Sequence, residues 1–99
     1  MTLSEIIQDL YALDARLRAY ELKYGVTSTD FYDLYQQGLL DDEGYEQSTE
    51  FARWASAYIL KQKRMSSFEE SSQRFINQLT PKASMQPLQL FPNPALIQS

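Results

Sequence analysis

A chain of 99 residues with a net charge of −4 offers one small domain, with limited capacity to bury its own surface. It contains neither Cys nor His, which excludes a disulfide framework, a thiolate metal site and the commonest general base. No apolar run approaches the roughly 20 residues of a membrane span, and the opening MTLSEIIQDL carries Glu5 and Asp9 with no basic stretch. The expectation is therefore a cytoplasmic protein with no signal peptide.

The first predicted element is the clearest. Leu3, Ile6, Leu10, Leu13, Leu17, Tyr20 and Tyr24 recur at alternating spacings of three and four, the seam of a helix that packs along another helix. Thr2 and Glu5 fit a capping box, and Gly25 fits the stop. The spacing predicts a helix over about 3–24. Thr27 and Asp30 then signal a new start, Phe31, Leu34 and Tyr35 share a face, and Gly38 closes a short helix over about 29–37.

Leu39 to Gly44 reads as a loop whose acids, Asp41, Asp42 and Glu43, favour the start of the next helix. From about Tyr45, the residues Phe51, Trp54, Tyr58, Met65, Phe68, Phe75 and Leu79 form a second three-four series, which Lys61 and Ser72 weaken by occupying its two remaining places. Ala52, Ala55 and Ile59 are expected to broaden its buried stripe. The pattern predicts one long helix over about 45–79, with a kink or fraying expected at 65–67 and a full break there as the alternative. Thr80 and Pro81 end it. The remaining segment holds all four prolines and reads as an extended tail with apolar anchors at Leu88, Leu90, Phe91, Leu96 and Ile97. The fold class is thus all-α: an antiparallel helical hairpin of the first and third helices over 1–80, a short bracing helix at its elbow, and an extended tail over 81–99.

Charge is distributed unevenly. Residues 25–50 hold Asp30, Asp33, Asp41, Asp42, Glu43, Glu46 and Glu50 and no base, whereas 51–80 are net basic. An acidic centre repels phosphate and attracts a basic protein. The second helix has the position of a helix-turn-helix reader but carries Asp30 and Asp33 without one cation, so DNA reading is not expected. Aligning Gly44 with the sixth place of a calcium loop puts Asp41, Glu43 and Glu50 at ligand places but Leu39 at the first, where an oxygen is required. Paired Asp41 and Asp42 have nothing to desolvate one of them. Lys61, Lys63 and Arg64 read as a solvated basic face, with RNA contact as the sharper alternative. Neither a catalytic set nor a metal or cofactor site is expected. Seven Tyr, five Phe and one Trp at helical spacing read mainly as core, with Tyr11, Tyr32, Tyr35 and Tyr45 at a rim.

The run from Tyr20 to Tyr58 resembles small prokaryotic antitoxins of two-gene toxin–antitoxin pairs. The resemblance rests on Glu21, Lys23, Tyr24 and Gly25 at the first turn and on Phe31 and Tyr32 in the capped helix. It continues through Gly38, Leu40, Asp41 and Asp42, then Trp54 and Ala55. The Pro-containing end departs from that pattern. The resemblance implies a non-enzymatic interaction module that neutralises a basic toxin or nuclease. The candidate contacts are Asp41, Asp42, Glu43, Tyr45, Leu88, Leu90, Phe91, Leu96 and Ile97. The alternative is an assembly subunit that self-associates, as a homodimer, through the helical seam.

Overall fold

The computed structural model describes residues 1–41, 43–79 and 87–97. Three α-helices and one short 3-10 turn make up its regular structure, and no strand occurs among the described residues. Helix α1 spans Leu3–Tyr24, α2 spans Ser28–Gln36 and α3 spans Tyr45–Leu79.

Local chemistry sets each boundary. At the start of α1 the Glu5 N–H donates to Thr2 Oγ1 at 3.2 Å and the Thr2 N–H donates to Glu5 Oε1 at 3.0 Å, a reciprocal capping box. That hydrogen bond from the Thr2 backbone also lowers the Glu5 pKa. Gly25 takes φ 70°, a conformation that carries a steric penalty for any residue with a Cβ. Thr27 Oγ1 accepts from the Asp30 N–H at 3.0 Å, so α2 begins at Ser28, one residue before the position expected from the sequence. At its end Gly38 (φ 69°) donates to the Tyr35 carbonyl and Leu39 to the Leu34 carbonyl, the paired bonds of a Schellman stop.

Three cross-helix ion pairs show that α1 and α3 run antiparallel. Lys23 meets Glu50, Asp14 meets Lys61 and Asp9 meets Arg64. As the chain falls along α1 it rises along α3. The seam of α1 is consumed in this contact: Leu3, Leu10, Leu13 and Leu17 are buried and Ile6, Tyr20 and Tyr24 are partly covered. Self-association through that seam would require opening the hairpin. Helix α3 is helical across 65–67, with no break. Its 35 residues rise about 52 Å at 1.5 Å each, most of the 61 Å long axis of the molecule.

The core joins Leu13 and Leu17 of α1, Phe31 of α2, and Phe51, Trp54, Ala55 and Ala57 of α3. Two expectations fail here. Ala52 and Ile59 are exposed, and Ala57 is buried in their place. The reason is that two neighbours cover α3. From α1, Tyr20 and Tyr24 meet Trp54 and Tyr24 also meets Phe51, while from α2 Phe31 meets Phe51 and Trp54 and Tyr32 stacks on Tyr58. The buried arc therefore turns away from Ala52 and Ile59. Met65 is also more than a third exposed, since α2 is too short to reach it.

Of the extended tail expected over 81–99, residues 81–86, 98 and 99 lie outside the described residues, and 87–97 add a feature that the sequence did not show. Residues 87–93 are irregular, but Pro94–Leu96 form a 3-10 turn capped by Asn93, whose Oδ1 accepts from the Ala95 N–H at 3.0 Å. The segment folds back on its own hairpin. Phe91 meets Phe75 edge to face at 5.4 Å, and Ala95 sits beside Leu3 and Ile6. The antiparallel register explains this. Helix α3 continues beyond the start of α1, and Phe75 would otherwise lose its cover.

Truncating Leu13 to Ala is expected to cost about 2–5 kcal/mol, while Leu22→Ala on the outer face of α1 stays within about 0.5 kcal/mol. Urea unfolding of the two variants checks which face of α1 is the seam.

Candidate protein-interaction surface

The elbow of the hairpin is built around one tryptophan. Trp54 is 1% exposed. The ring of Phe31 stacks on it with centroids 3.8 Å apart and planes 3° from parallel. Tyr20 and Tyr24 stack on it at 5.3 and 5.5 Å. Each of the three helices thus contributes to one aromatic stack. A buried indole N–H needs an acceptor. Trp54 Nε1–H donates to Ser28 Oγ at 2.9 Å, and the Ser28 hydroxyl donates to Glu21 Oε2 at 2.6 Å. The same Glu21 oxygen accepts from the Ser28 backbone N–H at 3.1 Å, which gives one of the orphan donors at the start of α2 a charged acceptor. Sequence reading missed Ser28 and the role of Glu21. The signal available was the obligation of Trp54 to find an oxygen near the elbow.

This packed elbow presents the acidic loop. Asp41 and Glu43 are exposed, and Asp41 Oδ1 accepts from the Glu43 N–H at 3.1 Å. Tyr45 is 85% exposed at the first position of α3. Asp42, expected to act with them, lies outside the described residues. On α2, Asp30 and Asp33 are exposed as well. Asp41 thus already gives one oxygen to its own turn. No group of three or more Asp and Glu side chains that could hold a metal ion occurs among the described residues. Tyr11 is exposed, while Tyr32 and Tyr35 are half-buried; Tyr32 stacks on Tyr58 at 4.9 Å and Tyr35 on Phe31 at 5.6 Å.

The tail anchors are elsewhere. Leu88, Leu90, Phe91, Leu96 and Ile97 all remain exposed to solvent in large part, with Ile97 at 84%. They lie where the start of α1 meets the end of α3, and the acidic loop lies where the end of α1 meets the start of α3. The expected contact residues therefore form two separate groups at opposite ends of an elongated molecule.

The basic face also changes character. Lys61 Nζ donates to Asp14 Oδ1 at 3.0 Å and Arg64 Nε donates to Asp9 Oδ2 at 2.7 Å, all four side chains being about two-thirds covered. Of the three cations in that cluster, Lys63 alone is left exposed. Lys61 is thus not a flaw in the α3 seam, because Asp14 meets it there. The hydrogen bond from Lys61, with the added field of Lys61 and Arg18, holds the Asp14 carboxyl below its ordinary pKa of 3.8. No helix among the described residues is long and apolar enough to cross a membrane.

Compared with models of known protein families, with curated proteins and with solved structures, the chain finds no match.

Two outcomes follow from this geometry. Ser28→Ala leaves a buried indole N–H without its acceptor and is expected to cost about 1–3 kcal/mol, read by thermal or urea unfolding. Asp14 has a depressed folded pKa, so its stabilisation is present above its ordinary value and is lost as pH falls through the folded value. Asp14→Asn is therefore expected to lower stability at neutral pH and to flatten the acid limb of a stability–pH profile.

Proposed function

We propose that this chain is a non-enzymatic protein–protein interaction module of the cytoplasm, an antitoxin-like neutraliser of a basic partner such as an RNA-cleaving toxin. The observation that carries the reading is the difference between its two sets of carboxylates. Asp9 and Asp14 on α1 are paired with α3 cations, whereas Asp30, Asp33, Asp41, Glu43 and Glu46 stand exposed around the elbow. Surface carboxylates without cations raise a negative potential that steers and orients a basic partner and competes with phosphate at its site. The resemblance of Tyr20 to Tyr58 to antitoxins points the same way. The apolar tail, at the far end, supplies a second contact rather than a continuation of the first.

A second reading is an assembly subunit. With the seam occupied by α3, self-association would fall to the outer face of α1, where Tyr11 and Leu22 are 72% and 87% exposed beside Ala15 and Ala19. Sedimentation over a wide concentration range tests it, and a strict monomer rejects it.

The first reading is tested by titrating the protein with the product of the neighbouring gene. A complex of micromolar affinity or tighter is expected, weakening as salt rises. Asp41→Lys with Glu43→Lys is expected to weaken it about tenfold, chiefly through slower association. Absence of a complex at about micromolar concentration would sink the reading.

A further inference from the structure

The cations of the helices fall into two sets. Arg18, Lys23, Lys61, Arg64 and Arg74 each hold a carboxylate at 2.7–3.0 Å. Arg16, Arg53 and Lys63 have no such pair among the described residues. Arg16 and Arg53 line the same groove, which runs between α1 and α3 and encloses about 770 Å³. Helix α2 covers the opposite flank of α3. At 100° per residue, Arg53, Ser56 and Leu60 lie on one side of that helix and Phe51, Ala55 and Tyr58 on the other. Among the described residues, no acidic one lines the groove.

We propose that this groove binds an acidic amphipathic helix from a partner protein. Leu13 and Ala57, both buried, close its base, and half-buried Tyr20 and Leu60 leave apolar surface that side chains spaced by three and four can meet. Ala52 and Ser56 are small, which lets a third helix approach to the roughly 8–10 Å of ordinary helix packing. Arg16 and Arg53 stand one on each wall, where their planar guanidinium groups can take glutamates in paired hydrogen bonds. A docked helix would complete a three-helix bundle that α2 completes only on the other flank. Nucleic acid fits less well. Two cations are few for a phosphate backbone, the ring of Tyr20 in the lining already stacks on Trp54, and the net charge of −4 opposes it. The inference uses the other flank of the molecule and the opposite sign of charge, so it stands whether or not the acidic loop meets a basic partner.

The test uses the full chain and a fluorescein-labelled peptide of about four helical turns, with leucines on one face and glutamates beside them. A counterpart has each glutamate replaced by lysine. Fluorescence anisotropy is expected to show micromolar binding of the glutamate peptide only. Arg16→Glu with Arg53→Glu is expected to weaken it at least about tenfold, and Lys63→Glu to leave it unchanged. The reversed variant is expected to gain the lysine peptide. Circular dichroism checks that the helices persist, and Arg16→Gln with Arg53→Gln replaces the reversal if they do not. No binding up to about 1 mM, or equal binding to wild type and the double variant, would overturn the proposal. So would displacement of the peptide by single-stranded oligouridylate, which would reassign the groove to nucleic acid. A dimer that the double variant abolishes would assign it to a second copy and overturn it likewise.

Discussion

The burial of Trp54 is the constraint on which the rest depends. A tryptophan inside a domain this small must satisfy its ring and its N–H together. The ring is satisfied by Phe31 on α2 and by Tyr20 and Tyr24 on α1. The N–H is satisfied by Ser28, which Glu21 holds in place. Both demands recruit the same two helices to the same point on α3. The turn at Gly25, with φ 70°, takes a path that delivers Ser28 to the indole N–H. Helix α2 has nine residues, too few to persist alone in water, and exists because this site holds it.

Electrostatics reinforces that geometry without creating it. The pairs Asp14–Lys61 and Asp9–Arg64 sit at the edge of an apolar seam and are partly shielded, so they discriminate register better than exposed pairs would. They also sort the surface. Asp9 and Asp14 of α1 are paired along the hairpin, Asp30, Asp33, Asp41, Glu43 and Glu46 around the elbow stand exposed, and two arginines are left lining a groove between α1 and α3. The resulting molecule has an acidic end, an apolar end and a cationic flank.

Much of this fold was legible in the sequence because its boundaries are local. Thr2, Glu5 and Gly25 act within a few residues of one another, and the bounds of α1 and α3 follow from such signals and from periodicity. What the sequence hid is what depends on a third neighbour. Ala57 rather than Ala52 is buried because α1 and α2 together set the arc that is covered, and a single-helix pattern cannot show two partners. Lys61 looked like a defect in a seam because Asp14 lies on another helix. The role of Ser28 was hidden because its partner, Trp54, lies 26 residues away on another helix. The candidate contacts at Asp41, Glu43 and Tyr45 were legible as exposed. Their separation from Phe91 and Ile97 was not, since it follows from the full length of α3.

The ladder between α1 and α3 has a further consequence. Its rungs span 27 residues of chain at Lys23 and Glu50, 47 at Asp14 and Lys61, and 55 at Asp9 and Arg64. Each rung beyond the elbow encloses a longer loop, but once the inner rung is made the next adds little chain entropy. The hairpin is thus a zipper with its fixed end at the aromatic stack. Amide protons near Trp54 are therefore expected to exchange more slowly than those near Phe75. Opening is expected to start at the apolar end and to reach the acidic end last.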